Sequence, residues 1–250
     1  MASQTPSRQS QVPIVIAPSI LAGDFGQFAR EAQRVEQGGG DWLHCDIMDG
    51  HFVPNISFGP DVVASIHRST KLPLDVHLMT ERPDRFAEAF AKAGAARLTI
   101  HLEALGNKNL GTEGRAVFER RSDSSIEDTL LAIESHGCQR GLALNPLTPV
   151  SAVEPYLDKI DLILLMTVWP GFGGQRFMEE VVPKMRAARA LVQQNGRPIY
   201  IEVDGGIDAA TVGVCAEAGA NAFVAGTSVF RHKTMDLAGA IRELREGAGG

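Results

Sequence analysis

The chain has 250 residues, of which 44% are hydrophobic and 22% charged, a composition typical of a soluble globular protein with one large core. Its formal net charge of −6 argues against nucleic acid as a partner, and the lack of an apolar run of about 18 residues argues against a membrane. Three cysteines without a CxxC pattern indicate a reduced setting, and we expect a cytoplasmic location.

Eight short apolar runs have the length and composition of buried strands. Runs of this kind, bounded by turn residues, are typical of a parallel sheet covered on both faces. The runs are Ile14–Pro18, Trp42–Ile47, Leu74–Leu78, Arg97–Leu102, Arg140–Leu144, Leu162–Thr167, Pro198–Val203 and Ala222–Ala225.

Between these runs lie amphipathic segments whose apolar spacing predicts helices. They lie near Phe25–Gln37, Pro60–Ser69, Pro83–Ala93, Ser125–Ser135, Val150–Leu157, Glu179–Gln194, Ala209–Ala218 and Leu237–Arg245. Ser125 and Asp208 are suitable N-caps. Several segments end in a glycine that we expect to be left-handed, namely Gly38, Gly94, Gly137, Gly196 and Gly219.

Eight successive strand–helix units predict a single (β/α)8 TIM barrel over residues 13–247, after a disordered tail at residues 1–12. A doubly wound open sheet is the alternative, but no Gly-rich fingerprint follows the first strand. Residues 104–123 are rich in Gly, Arg and Glu and form an extended loop after the fourth strand. This loop is either a solvated insertion or a lid or subunit contact.

Polar side chains recur at the ends of several predicted strands. In the run from Trp42 to Gly50, His44, Asp46 and Met48 alternate, so they share one face of the strand. The same alternation recurs at Asp75–Met79, His101–Glu103 and Glu202–Gly206. Because the carboxyl ends of barrel strands meet at one mouth, we expect these side chains to form one site.

Four of these side chains have the chemistry of metal ligands. They are His44, Asp46, His77 and Asp204. Two imidazoles and two carboxylates suit a divalent ion such as Zn²⁺, Fe²⁺ or Mn²⁺. A lone histidine on a strand is usually structural, but four such residues at matching strand ends favour a metal site.

Three Gly-rich turns follow the last three strands and predict a phosphate site. They are Pro170–Gln175, Asp204–Ile207 and Ala225–Ser228. Glycine lets backbone N–H groups approach an anion closely, and barrels usually bind phosphate in the loops after strands seven and eight. We therefore expect a phosphorylated small molecule as the ligand.

Three methionines lie near the same strand ends: Met48, Met79 and Met166. Methionine is usually plain core filling. Three at one mouth are equally consistent with an apolar lining that keeps water from a reactive intermediate.

Several long motifs resemble the ribulose-phosphate 3-epimerase family. They are Ser19–Ala22, Leu43–Asn55, Asp75–Met79, Pro170–Gln175 and Glu202–Gly206. The resemblance implies a barrel of the ribulose-phosphate-binding type that converts D-ribulose 5-phosphate to D-xylulose 5-phosphate through a cis-enediolate. It also implies a homo-oligomer. The family usually has Asn where Trp169 stands, and its loop at residues 104–123 is shorter, which leaves a related sugar phosphate open as the substrate.

The resemblance also implies roles for individual residues. One divalent ion (Zn²⁺, Fe²⁺, Mn²⁺ or Co²⁺) is held by His44, Asp46, His77 and Asp204, and Asp46 and Asp204 are the proton-transfer pair. The implied substrate-binding residues are Ser19, His77, Gly171, Phe172, Gly173, Gly174, Asp204, Gly205, Gly206, Gly226 and Thr227. Two alternatives stay open: a 3-epimerase of a related sugar such as D-allulose 6-phosphate, and a non-catalytic barrel that binds a sugar phosphate.

Overall fold

The computed structural model describes residues 12–105 and 124–249. Its strands are β1 (Val15–Pro18), β2 (Leu43–Met48), β3 (Leu74–Met79), β4 (Ala95–His101), β5 (Gln139–Leu144), β6 (Leu162–Met166), β7 (Tyr200–Asp204) and β8 (Ala222–Ala225). Its α-helices are α1 (Phe28–Gln37), α2 (Pro60–His67), α3 (Pro83–Lys92), α4 (Leu102–Leu105), α5 (Ile126–Ser135), α6 (Val182–Asn195), α7 (Val212–Glu217), α8 (Thr227–Phe230) and α9 (Leu237–Gly247).

The eight strands form a parallel barrel. Strands β2 to β8 pair in chain order, and β1 pairs with β8. A parallel bridge between Ser19 and His44 joins the first two strands and closes the ring. The predicted (β/α)8 TIM barrel is therefore confirmed, and the doubly wound open sheet is wrong.

The alternation of side chains along each strand separates two apolar layers. Outward side chains such as Leu43, Cys45 and Ile47 of β2 belong to a large core beneath the helices. Inward side chains such as Leu162, Leu164 and Met166 fill part of the barrel interior. Burying both faces of the sheet explains why the strands are continuous apolar runs in the sequence.

Some of the local predictions differ from the structure. The segment predicted at Val150–Leu157 is a 3₁₀ helix at Val150–Lys159 that contains Pro155, which cannot donate the backbone bond that an α-helix needs. Gly38 has φ −77° and is not left-handed, whereas its neighbour Gly39 has φ 87°. Gly94, Gly137, Gly196 and Gly219 are left-handed as predicted.

The two predicted N-caps have different outcomes. The Ser125 cap is confirmed, because Ser125 and Asp128 form a reciprocal capping box at the start of α5. Asp208 is not the N-cap of α7, which begins at Val212. Its carboxylate instead accepts bonds from the N–H groups of Ala210 and Thr211 in the preceding turn.

Two predicted segments lie largely outside the described residues. These are residues 1–11 of the predicted tail and residues 106–123 of the predicted loop. At the borders of these segments, the carbonyl of Val12 accepts a bond from Asn221, and Leu102–Leu105 form α4. Among the described residues, no helix is both long and apolar enough to cross a membrane.

Candidate metal centre and substrate cavity

The inner face of the barrel is polar towards its carboxyl end. Alternating positions of four strands place ionisable side chains there because every second residue faces the barrel axis. They are His44 and Asp46 of β2, Asp75 and His77 of β3, Arg97 and His101 of β4, and Glu202 and Asp204 of β7, and all but Asp204 are buried.

His44, Asp46, His77 and Asp204 come together at the barrel mouth. Asp46 Oδ1 lies 3.3 Å from His44 Nε2 and 3.5 Å from His77 Nδ1. His77 Nδ1 lies 3.9 Å from Asp204 Oδ2. The two carboxylates stand on β2 and β7, which are not neighbours in the sheet, so the strand ends present them from different sides of the mouth.

These four side chains fit a divalent metal ion. His44 Nε2 and His77 Nδ1 are buried and make no hydrogen bond among the described residues, although buried polar atoms are normally paired. Bonds of about 2.1 Å to a tetrahedral ion place its donors about 3.4 Å apart, close to the separations at Asp46. An ion between the donors would satisfy both nitrogens, so the cluster can hold a metal.

Neighbouring side chains orient two of the metal-competent residues. Asp75 Oδ2 lies 2.6 Å from His44 Nδ1, which directs the other ring nitrogen, Nε2, towards the cluster. The hydroxyl of Ser19 donates to Asp46 Oδ2 at 2.5 Å, leaving Oδ1 to face the imidazoles. Ser19, expected to bind substrate, therefore contacts a site carboxylate directly.

Burial and charge push the pKa values of the two site carboxylates apart. Burial would raise the pKa of Asp46, but His44 and His77 outweigh it and hold that pKa well below its usual range. Burial, together with the nearby Asp46 carboxylate, raises the pKa of Asp204 to about 7. Before a metal binds, Asp46 is thus a carboxylate at neutral pH, while Asp204 is only partly ionised.

The two imidazoles also differ. Burial would lower the pKa of His44, but Asp46 and Asp75 outweigh it and raise that pKa well above its usual range. Burial lowers the pKa of His77 to about 4. A neutral His77 has a ring nitrogen lone pair available to a metal at neutral pH.

A buried charged cluster lies beneath the site, and the sequence analysis gave its members no separate role. Arg97 lies 4.0 Å from Asp75 and stacks 3.3 Å above the Trp42 ring. Burial and the Asp75 carboxylate raise the pKa of Glu202 well above its usual range, which favours the neutral form of Glu202 beside Asp75. The signal for it was in the sequence, because Asp75 and Glu202 each precede a proposed ligand by two residues on the same strand face.

A cavity of about 940 Å³ opens above the cluster. It reaches from Asp46 and Asp204 to the three Gly-rich turns, and a Cβ on Gly174 would lie 3.6 Å from Thr227 Oγ1, so two of the turns touch. The predicted substrate residues that line it are Ser19, Gly171, Phe172, Gly173, Gly174, Asp204, Gly205, Gly206, Gly226 and Thr227. Arg231 and Lys233, which were not predicted, line it as well.

The glycines after β7 are required by close packing. Gly205 and Gly206 have φ of 122° and 67°. A Cβ at Gly205 would lie 2.4 Å from Val168, and one at Gly206 would lie 2.5 Å from the backbone nitrogen of Phe177. Only glycine therefore fits this turn, which packs against the loop that follows β6.

Some of the apolar residues at the barrel mouth line the cavity and others do not. Met48, Met79 and Met166 all line the cavity and are nearly fully buried. Phe172 is 54% exposed at the rim. Trp169 is not among the lining residues; its carbonyl accepts a bond from Gln175.

Known proteins resemble the chain at the level of sequence and of fold. Residues 15–230 match the model of the ribulose-phosphate 3 epimerase family. The chain is 44% identical to ribulose-phosphate 3-epimerase of Bacillus subtilis over 93% of its length and 98% of the relative's. It is 42% identical to the chloroplastic ribulose-5-phosphate-3-epimerase of Arabidopsis thaliana, over 98% and 80% of the two lengths. In fold it resembles 3-hexulose-6-phosphate synthase of Salmonella typhimurium, with a TM-score of 0.64 at 15% identity over 94% of this chain and 98% of the other.

Proposed function

Since the chain belongs to the ribulose-phosphate 3-epimerase family and is an isomerase of carbohydrates, we propose that Asp46 and Asp204 carry out its proton transfer at carbon 3 of D-ribulose 5-phosphate. The observation that carries this proposal is the pair of carboxylates beside two unpaired imidazole nitrogens at the floor of a cavity. The product is D-xylulose 5-phosphate.

Inversion at carbon 3 needs an acid and a base on opposite faces of the substrate. One carboxylate removes the proton next to the carbonyl, and the other returns a proton to the far face. Asp46 on β2 and Asp204 on β7 approach from different sides of the mouth. In the metal-free protein the pKa of Asp46 lies well below its usual range and that of Asp204 is about 7, so Asp46 is the ionised carboxylate of the pair and Asp204 is the one that can hold a proton. The two exchange the roles of acid and base in the reverse direction.

The proposed metal ligands are His44, Asp46, His77 and Asp204. A divalent ion bound there would supply Lewis-acid stabilisation of the negative charge that proton removal creates on the substrate, and Zn²⁺, Fe²⁺, Mn²⁺ and Co²⁺ all suit this donor set. Asp75 and Ser19 hold His44 and Asp46 in place. The buried methionines at the mouth exclude water from the carbon that loses its proton.

The phosphate end of the cavity lies at the three Gly-rich turns. The glycines of these turns have no side chain and let the backbone approach a phosphate closely. Arg231 and Lys233 line the same cavity and give it local positive charge in a chain whose net charge is −6. A sugar phosphate would thus lie with its phosphate at the turns and carbon 3 between the carboxylates.

The test is turnover of D-ribulose 5-phosphate by purified protein before chelation, after chelation and after metal is restored. We expect activity to disappear on chelation and to return with Zn²⁺, Fe²⁺, Mn²⁺ or Co²⁺. Full activity in exhaustively chelated protein would contradict the metal centre, and no activity in metal-loaded protein would contradict the substrate.

A parallel assay with D-allulose 6-phosphate distinguishes the proposed five-carbon substrate from the six-carbon alternative. We expect slower turnover than with D-ribulose 5-phosphate, since the epimerases of Bacillus subtilis and Arabidopsis thaliana that the chain resembles are both named for the pentose phosphate. The reverse order would assign the chain to the six-carbon sugar. The predicted homo-oligomer and cytoplasmic location stay predictions.

A further inference from the structure

A chain of buried hydrogen bonds runs from the proposed metal centre into the barrel wall through His77. Its Nε2 lies 2.8 Å from Nε2 of His101 on β4. His101 Nδ1 lies 3.1 Å from Glu103 Oε2 in α4. Both imidazoles are fully buried and the Glu103 side chain is 7% exposed, so water does not interrupt the path.

Glu103 is held firmly as an acceptor at the far end of this path. Its other oxygen, Oε1, accepts from the backbone N–H of Asn145 at 2.8 Å and from the hydroxyl of Thr148 at 2.5 Å. Lys184 donates to the carbonyl of Asn145 at 2.6 Å, which brings a positive charge near. Burial would raise the pKa of Glu103, but these bonds and His101 hold it below its usual range.

The positions of the protons along the path follow from these contacts. A carboxylate only accepts, so a neutral His101 carries its one ring proton on Nδ1, facing Glu103, and a lone pair on Nε2. Two ring nitrogens 2.8 Å apart share one proton, so His77 donates from Nε2. The lone pair of His77 then lies on Nδ1, the atom that faces Asp46 and Asp204.

We propose that Glu103, acting through His101, is a positioning residue that fixes the tautomer of His77 and thereby sets the affinity of the site for its metal. This inference rests on the metal centre of the proposed function and adds to it two residues that touch neither the ion nor the cavity. Partners of this kind, behind a ligating imidazole, typically change metal affinity on the order of 10–100-fold.

Replacing Glu103 by glutamine exchanges the donor and acceptor roles along this chain of hydrogen bonds. The backbone N–H of Asn145 is a fixed donor, so the new amide oxygen must remain at the Oε1 position. The amide NH₂ then donates to His101 Nδ1, the His101 proton moves to Nε2, and His77 must hold its own proton on Nδ1. That proton occupies the position where the metal binds.

Glu36 offers a matched control. It lies at the carboxyl end of α1, at the opposite end of the barrel from the mouth, and accepts bonds from the Thr70 hydroxyl at 2.7 Å and the Lys71 N–H at 3.0 Å. The variants Glu103→Gln and Glu36→Gln therefore remove the same charge and leave the same two kinds of donor, but only the first faces a histidine path.

The experiment is competition for Zn²⁺ between a chelator and the wild-type, Glu103→Gln and Glu36→Gln proteins. We expect the affinity of Glu103→Gln for Zn²⁺ to fall on the order of 10–100-fold and that of Glu36→Gln to match the wild type. Equal affinity of folded Glu103→Gln and wild type would overturn the inference. Wild-type protein that takes up no Zn²⁺ would instead overturn the metal centre itself, and the inference with it.

A second measurement needs no variant and decides the question if Glu103→Gln does not fold. Nitrogen-15 NMR of the zinc-loaded wild-type protein distinguishes the two ring nitrogens of each histidine. We expect His101 to be protonated on Nδ1 and bare on Nε2, with His77 protonated on Nε2. A His101 proton on Nε2, facing His77, would contradict the proposal whatever the affinities are.

Discussion

Asp204 is partly exposed and has a strongly raised pKa. Its side chain is 17% exposed, whereas that of Asp46 is 6% exposed, so Asp204 borders the cavity more openly. Burial and the neighbouring Asp46 carboxylate both disfavour its ionised form. A carboxyl group whose pKa lies near neutral pH, beside an ionised partner, is the arrangement that a proton-exchanging pair needs.

Replacing Asp204 by asparagine should stop turnover while leaving much of the metal bound. Asparagine keeps the shape and three other ligands remain, but it cannot exchange a proton with carbon 3. Loss of one acid–base group costs on the order of 10²–10⁴-fold, which steady-state kinetics and metal analysis of the same sample would measure. Near-normal turnover would refute the role of Asp204.

Asp208 is a suitable control for that variant. It lines the same cavity, but its carboxylate accepts bonds from the backbone of its own turn, a role that the asparagine side-chain oxygen can keep. Asp208→Asn should therefore turn over substrate at close to the wild-type rate. A loss equal to that of Asp204→Asn would mean that any charge removed from the cavity stops the reaction.

The pKa of Asp204 can be measured in metal-free protein by carbon-13 NMR of its side-chain carboxyl. We expect titration near pH 7, and a lower pKa in Asp46→Asn because a negative neighbour has been removed.

The raised pKa of Asp204 also makes stability depend on pH. An Asp side chain in the unfolded chain has a pKa of about 3.9, so the folded state binds the proton more tightly. The contribution of this group to stability is fully present below about pH 4 and is lost as the pH rises through 7. Titration of Asp204 near pH 4 in the folded protein would contradict both its raised pKa and this pH dependence of stability.

At the scale of elements, the turn after β7 joins the strand that carries Asp204 to the proposed phosphate end of the cavity. Asp204 ends the strand, and Gly205 and Gly206 follow it with positive φ. The hydroxyl of Thr167, at the end of β6, donates to the Gly205 carbonyl at 2.6 Å. Any shift of this turn therefore moves both a proposed acid–base group and the proposed phosphate contacts.

Gly206→Ala should raise KM for the sugar phosphate and destabilise the protein, because its Cβ would lie 2.5 Å from the Phe177 backbone. Gly196→Ala is the matched variant, since Gly196 has φ 80° but nothing within 4 Å of a Cβ and lies at the end of α6. It should lose about 1 kcal/mol from left-handed strain alone and keep its kinetics. Chemical denaturation and steady-state assays would measure both, and equal effects of the two variants would contradict the role of packing.

At the scale of the whole molecule, the barrel brings together proposed metal ligands that are far apart in the chain. His44 and Asp204 lie on β2 and β7 and come together only in the closed barrel. The unfolded chain therefore lacks the preformed site. Binding of metal to the folded state alone stabilises that state by mass action.

Metal should accordingly raise the Tm. At a free metal concentration of 100 times Kd, the stabilisation is about 2.7 kcal/mol, or roughly 5–10 °C for a chain of this size, measured by calorimetry with and without chelator. His77→Ala removes one donor and should abolish most of the shift. A shift of the same size in His77→Ala would mean that the metal stabilises the protein from another site.

The local parts of this architecture were predictable from the sequence. Short-range sequence patterns predicted the eight strands, the Ser125 cap and the alternation of His44 with Asp46. Each of these features depends on neighbours only a few residues away. Helix α1 ends at Gln37 as predicted, but the left-handed glycine after it is Gly39 rather than Gly38, because two adjacent glycines both permit that conformation and the sequence does not select between them.

The sequence by itself determined the (β/α)8 fold and which side chains face the barrel axis, because strand alternation assigns each residue to a face before any strand has a neighbour. Only the tertiary structure decided the distances between them, the 3₁₀ conformation at Val150–Lys159 and the charge states of Asp46 and Asp204. It also placed His101 and Glu103 behind His77. These properties depend on desolvation and on contacts between residues distant in the chain, which exist only once the barrel closes.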